Sequence, residues 1–200
     1  RGRRHRRRRS GGRQWSAQRL AQANSVERIR AAALRPFVER ADWLLDLHSM
    51  HEPGPPLLLT GPHRRAVDFA GVLNCVRHIV VDEGHADGVR LRDFGRFGLP
   101  DGSPDARTAL LIECGFHGDR TSIVVAKDIC HRFLLETGSV EPDALVTALA
   151  DWRRPEPVQQ VVLEVEAAVV ATDETFRFVR QFQPLEAIPR AGSMIGLNGD

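Results

Sequence analysis

The sequence predicts an α/β protein: a mainly parallel sheet flanked by helices, followed by a small β domain. Short apolar runs bounded by turn residues, at 43–47 and 108–114, are typical of strands buried on both faces of a parallel sheet. Segments with apolar residues at helical spacing, such as 26–40 and 123–137, alternate with these runs. After residue 155, β-branched and aromatic residues alternate with polar ones, which indicates short antiparallel strands.

The composition indicates one medium-sized globular domain, or one domain with a small appendage. The chain has 200 residues, of which 42% are hydrophobic, and no apolar run approaches the length of a membrane span. No secretory signal is visible, because the arginine-rich start lacks an apolar stretch. Three cysteines, an odd number, match no zinc-ribbon or redox spacing, so we expect a reduced, cytoplasmic location. Because no apolar run is long enough to span a membrane, we expect no membrane partner.

The charge is unevenly distributed along the chain. The formal net charge is +2, but residues 1–9 hold seven arginines and leave 21 basic against 26 acidic residues in the remainder, a balance of −5. A mildly acidic remainder argues against nucleic acid as its main partner. Nucleic acid is therefore expected only through the arginine-rich N-terminus.

Residues 1–12 contain no apolar side chain, so we predict that they are disordered. One interpretation is a basic arm for RNA, DNA or another polyanion. The other is that the segment is not native protein sequence: the chain begins with Arg, and its 27 Arg against one Lys are typical of GC-rich DNA read out of frame. The sequence leaves both open.

The sequence divides into three parts. After residues 1–12, a partial α/β domain is predicted over residues 13–154, and the Arg-Arg-Pro-Glu-Pro stretch at 153–157 breaks its pattern. Residues 155–200 are predicted to form a small β module, which we expect to be incomplete. A homo-oligomer is left open.

Asp46 and His48 lie two residues apart, so they leave a strand on the same side and near its carboxyl end. Open α/β sheets bind ligands at that end, and an imidazole with a carboxylate beside it suits a metal ligand and the group that orients it. The simpler alternative is an ordinary hydrogen-bonded histidine. Glu113 ends the second predicted key strand and is followed by Gly115 and His117.

A catalytic zinc site needs three protein ligands and an open position for water. A nearby carboxylate must also take a proton from that water. His48 suits a ligand and Glu113 suits the base. No His-x-x-Glu pair precedes His48, so the other ligands are not found.

Two motifs together resemble a known family. Leu-Asp-Leu-His-Ser at 45–49, followed about 65 residues later by Ile-Glu-Cys-Gly-Phe-His at 112–117, is similar to the succinylglutamate desuccinylase/aspartoacylase family of zinc amidohydrolases, relatives of the zinc carboxypeptidases. The resemblance implies a zinc-exopeptidase-like fold and hydrolysis of the amide, or ester, bond of an N-acyl amino acid or a similar small molecule. It also implies that His48 is the third zinc ligand and Glu113 the general base.

The chain departs from the family pattern before His48. The family's other two ligands form an upstream His-x-x-Glu unit that this sequence lacks, so the resemblance implies one zinc ligand of three and a sheet without its first strands. The family has an Asp-x-Asn-Arg stretch whose Asn and Arg hold the substrate carboxylate. Only the Arg of that stretch has a counterpart in this chain, which is Arg13. We therefore expect little or no hydrolysis by this chain alone. The alternative is a non-catalytic remnant or interaction module with a polyanion-binding arm.

The remaining candidates have simpler interpretations beside the functional ones. His117 directly follows the Glu113 strand and is a candidate substrate contact. His51 is expected to be an exposed turn residue, and Cys114 a small buried apolar residue rather than a nucleophile. Four histidines without ligand spacing are expected to be structural: His63, His78, His85 and His131.

Overall fold

The computed structural model describes residues 25–84, 89–157, 159–171 and 174–199. The predicted disorder of residues 1–12 and the candidate residues Arg13 and His85 lie outside these ranges. The helices are α1 (Val26–Arg40), α2 (Arg64–Leu73), α3 (Thr121–Glu136) and α4 (Pro142–Leu149), with 3₁₀ turns at Leu91–Asp93, Gly95–Gly98 and Ala150–Trp152. The strands are β1 (Trp43–Met50), β2 (Leu57–Thr60), β3 (His78–Val81), β4 (Thr108–Phe116), β5 (Val161–Glu164), β6 (Arg177–Phe178) and β7 (Gly196–Leu197).

Five strands form the main sheet, in the order β1-β4-β2-β3-β5. β1 pairs parallel to β4, and β2, β3 and β5 run parallel to one another, while β2 and β4 are antiparallel. β6 and β7 form a separate two-stranded antiparallel sheet. The prediction of a mainly parallel sheet with flanking helices and a small β unit is confirmed.

The β5 segment lies elsewhere than predicted. We expected residues 158–171 to belong to the small antiparallel module, but Val161–Glu164 pairs parallel to β3 at the edge of the main sheet. Alternating exposure along β5 explains the error, since an edge strand with one covered face has the same sequence pattern as a strand of an antiparallel ribbon. The division of the chain near residue 155 into two domains is still a prediction.

Helix α1 begins where the sequence predicts. The Ser25 hydroxyl accepts a hydrogen bond from the Arg28 N–H at 3.4 Å and so caps the first turn. Pro36, a residue that often kinks or ends a helix, does not end this one, which continues to Arg40. No side chain of α1 is buried.

Helix α3 begins differently from the prediction. The segment 123–137 predicts a helix with Ser122 as its N-cap, but the helix begins at Thr121, so Ser122 lies inside it. The Asp119 carboxylate accepts the hydrogen bond from the Thr121 N–H at 2.8 Å. The Ser122 hydroxyl, placed inside the first turn, instead donates to the Asp119 carbonyl at 2.7 Å. Asp and Ser are both good caps, so the sequence did not decide between them.

The main core lies between the sheet and the helices α2 and α3. Leu110, Ile112 and Cys114 of β4 belong to this core, together with Ala70 of α2 and Ile129 of α3. Because side chains alternate along a strand, the residues between them on β4, including Glu113, lie on the opposite face of the sheet. The 3₁₀ turn Leu91–Asp93 contacts β1 and β4.

A buried ion pair fastens α3 to its surroundings. Arg132 donates to the Asp128 carboxylate at 2.9 Å, and both side chains are almost fully buried. The same guanidinium donates to the carbonyls of Leu73, at the end of α2, and Arg154, in the stretch that leads to β5. Asp128 also accepts the Arg154 N–H at 2.9 Å. One side-chain pair therefore holds three chain segments together.

The long excursion between β3 and β4, predicted as a loop, contains two 3₁₀ turns but no α-helix or strand among its described residues. Its Asp101 accepts the Arg64 N–H at 2.8 Å and pairs with the Arg65 guanidinium at 2.7 Å. These bonds tie the excursion to the N-terminus of α2. Within the described ranges, no helix is both long enough and apolar enough to cross a membrane.

Candidate functional site

His48 and Glu113 stand side by side in the sheet. They are direct register partners in the parallel pair β1–β4, near the carboxyl ends of both strands. Register partners in a sheet project from the same face, so both side chains leave the sheet on the face opposite α2 and α3. The sequence analysis placed an imidazole and a carboxylate together here, and the structure brings them together.

Asp46 contacts the ring of His48. Its Oδ1 lies 3.1 Å from Nε2 of His48, and the two side chains are 23% and 46% exposed. A carboxylate that engages Nε2 fixes the ring orientation and leaves Nδ1 as the nitrogen open to another ligand. His48 is therefore an oriented, accessible donor, which suits a single metal ligand.

Glu113 carries an uncompensated polar atom. Its Oε2 is buried and has no hydrogen-bond partner among the described residues. Burying a carboxylate oxygen without a partner costs free energy, about 1–3 kcal/mol or more. An atom of this kind calls for an explanation, and other described side chains, including those of Thr60, Asp128 and His131, have one too.

His117 returns to the end of β1 because the chain bends after Glu113. Gly115 has a φ of 113°, a conformation that side chains disfavour. Beyond it, the His117 N–H donates to the Met50 carbonyl at 2.9 Å. The His117 ring contacts His51 edge to face, with 4.5 Å between ring centroids. His51, expected to be an exposed turn residue, is exposed and yet lies beside the candidate site.

Sequence reasoning missed Ser49. Its Oγ lies 2.6 Å from Nδ1 of His117. Alternation along β1 turns Ser49 away from the side that His48 occupies. The extra residue of the bulge is on β4, because His48 pairs with Glu113 but Met50 pairs with Phe116, and beyond it the side chains of β4 change sides, which turns His117 toward Ser49. The available signal was Gly115, since a glycine inside a strand pattern suggests a bulge.

The described residues do not complete a zinc site. Among them, no group of three or more His, Cys, Asp or Glu side chains is placed to hold a metal ion. His48 supplies one imidazole and Asp46 contacts its ring, whereas a catalytic zinc needs three protein ligands. The donor set fits one position of such a site and not the whole.

Cys114 is buried, as expected, and His78 and His131 belong to β3 and α3, each with a buried Nδ1 that has no hydrogen-bond partner among the described residues. Burial, and after it the electrostatic influence of Cys130 and Glu113, raises the pKa of the Cys114 thiol to about 11, so it stays protonated and unreactive at neutral pH. His131 is only 5% exposed on α3. Burial and the neighbouring charge of Arg77 lower the pKa of His78.

A large apolar cleft lies away from these residues. It has a volume of about 520 Å³ and lies between α1 and the first 3₁₀ turn, with Leu34, Val38, Leu91 and Phe94 among its walls. None of the candidate site residues lines it. The candidate site is therefore defined by its side chains and not by this cleft.

Comparison with solved structures identifies the fold. EutE (DoeB), an ectoine utilization protein from Ruegeria pomeroyi, matches with a TM-score of 0.51 and 14% identity, covering 80% of this chain and 49% of that chain. The chain has the fold of this protein. The resemblance predicted from the sequence is thus confirmed at the level of the fold.

Two other matched structures carry the family name predicted from the sequence. Succinylglutamate desuccinylase from Vibrio parahaemolyticus has a TM-score of 0.49 and 16% identity, covering 90% of this chain and 53% of that one. Succinylglutamate desuccinylase/aspartoacylase from Rhodobacter sphaeroides has a TM-score of 0.45 and 16% identity, covering 78% and 47%.

The chain corresponds to only part of each matched structure. The chain spans about half the length of each of these structures, as the coverages of 49%, 53% and 47% show. No protein-family model matches the sequence, and no curated protein does. Activity and substrate are therefore matters for proposal.

Proposed function

We propose that the chain is one part of a zinc-dependent amidohydrolase-type domain, whose substrate is an N-acyl amino acid or a similar small amide or ester. By itself it hydrolyses such compounds little or not at all. The observation that carries the proposal is the pairing of His48 with Glu113 on one face of the sheet, with Asp46 holding the His48 ring. The shared desuccinylase-type fold supports it.

The roles follow from the surroundings of each side chain. His48 offers Nδ1 as a single zinc donor, because Asp46 engages Nε2. Glu113, with one partly desolvated oxygen lacking a partner, is the base that takes a proton from water. His117 and Arg13 are the proposed contacts to the substrate. The proposal keeps the expected cytoplasmic location.

One zinc ligand of three predicts weak, exchangeable binding. We expect the purified chain to hold zinc well below one equivalent after dialysis, and the His48→Ala variant to hold less still. His63→Ala is the matched control: His63 stands at the N-cap of α2 without a side-chain cap bond, and its loss should leave the zinc content unchanged. Zinc is measured by mass spectrometry, and hydrolysis with a panel of N-acyl amino acids, for which rates near background are expected.

Two results would contradict this proposal. One is a full equivalent of zinc that survives dialysis and does not depend on His48. The other is ready hydrolysis that persists in Glu113→Gln. Either would place the chemistry outside the β1–β4 pair.

A second candidate function rests on the charge of the N-terminus. Seven arginines among residues 1–9 suit a polyanion, and the alternative proposal is an interaction module that binds RNA through them. We expect RNA retention that weakens steeply with added salt and disappears when residues 1–9 are deleted. Retention that is insensitive to salt, or unchanged by the deletion, would contradict it.

A further inference from the structure

Ser49 and His117 form a hydrogen-bonded pair just beyond His48 and Glu113 along β1 and β4. Ser49 follows His48, and His117 lies four residues after Glu113. Their side chains meet across 68 residues of sequence, with 2.6 Å between Oγ of Ser49 and Nδ1 of His117. The proposed hydrolysis gives Ser49 no role.

Which atom donates in this contact depends on the tautomer of the ring, and the length of the contact favours the hydroxyl. Hydroxyl donors form bonds of about 2.5–3.0 Å, whereas N–H donors to oxygen prefer about 2.7–3.2 Å. At 2.6 Å the contact fits a Ser49 O–H that donates to an unprotonated Nδ1. A neutral ring that accepts at Nδ1 carries its proton on Nε2.

The surroundings fix the ring further. The backbone N–H of His117 donates to the Met50 carbonyl at 2.9 Å, so the ring is anchored at its base to the end of β1. His51 packs against the ring edge to face, at an interplanar angle of 84°. The hydroxyl of Ser49 then sets the rotation of the His117 ring, which the bond to the Met50 carbonyl and the contact with His51 already hold in place.

We propose that Ser49 is a positioning residue that keeps the neutral His117 ring in its Nε2–H form. With Nδ1 engaged, Nε2–H is the one donor that the ring offers to a bound small molecule, and it suits an acceptor oxygen of a carboxylate or carbonyl group. This use of the donor rests on the proposed function. The tautomer itself does not.

The test reads the tautomer by long-range proton–nitrogen NMR at a pH well above the ordinary imidazole pKa of about 6.5. In the full chain we expect the Nε2–H form of His117 to dominate. In Ser49→Ala the ratio of Nε2–H to Nδ1–H should fall about fivefold, the effect of losing one hydrogen bond of ordinary net strength. Ser49→Thr keeps a hydroxyl and should restore the ratio.

His63 is the internal control, because it makes no side-chain cap bond and lies on another element, so its signals should match in all three proteins. The proposal is overturned if Nδ1–H dominates in the unaltered chain, or if Ser49→Ala leaves the ratio unchanged while the His63 signals show an intact fold. Neither zinc nor hydrolysis enters the measurement, so a failure of the proposed function leaves this result standing.

Discussion

Arg132→Met is expected to lower the free energy of unfolding by about 3–5 kcal/mol, the usual cost of breaking a buried ion pair. The substitution leaves the Asp128 carboxylate, which is fully buried, without its cation. It also removes the donors that satisfy the carbonyls of Leu73 and Arg154. Urea unfolding followed by circular dichroism measures the change.

The chain offers a matched control for this prediction. Arg64 and Asp68 also form an Arg–Asp pair at a spacing of four residues on a helix, but their side chains are 86% and 63% exposed. Arg64→Met should therefore change the stability by less than about 0.5 kcal/mol. Equal effects of the two substitutions would show that the Asp128–Arg132 pair is not buried in solution.

The second large expected effect is a gain in stability. Glu113→Leu is expected to raise the free energy of unfolding by about 1–3 kcal/mol, because it removes a buried oxygen that has no hydrogen-bond partner among the described residues. Catalytic groups often reduce stability in this way. The same substitution removes the proposed base, so stability and any residual hydrolysis should change in opposite directions.

Two variants serve as controls for this gain. Glu113→Gln keeps a polar atom in the same place and should shift the stability less than Glu113→Leu does. Glu164→Leu alters an exposed glutamate at the end of β5 and should stay within about 0.5 kcal/mol of the unaltered chain. A loss of stability in Glu113→Leu would mean that the carboxylate is satisfied in solution and has a structural role.

The elements of the fold could be predicted because local patterns specify them. The apolar runs that became β1 and β4, and the Ser25 cap of α1, are each legible within a few residues. The proximity of His48 to Glu113 could be expected as well, since each ends a predicted buried strand. Their roles in zinc binding and proton transfer are still predictions.

The pairing partners of the strands could not be predicted. Nothing in the four residues of β2 indicates that it lies antiparallel to β4, and the pattern of β5 suits either kind of sheet edge. The Ser49–His117 contact depends on an extra residue of β4 opposite Ser49, and registers arise from the whole sheet rather than from one strand. Tertiary context made these choices.

Because β2 runs antiparallel to β4, the main sheet has two rims: one at the carboxyl ends of β1 and β4, the other at the carboxyl ends of β2 and β3. The loops that leave β2 and β3 emerge at the far rim from His48 and Glu113, and the Asp82–Arg90 ion pair, at 2.6 Å, lies just after β3. Substitutions in those loops can accumulate, or be introduced, without changing the candidate site. The rim at the carboxyl ends of β1 and β4 tolerates fewer substitutions, because it carries both the proposed reactive groups and the contacts that orient them.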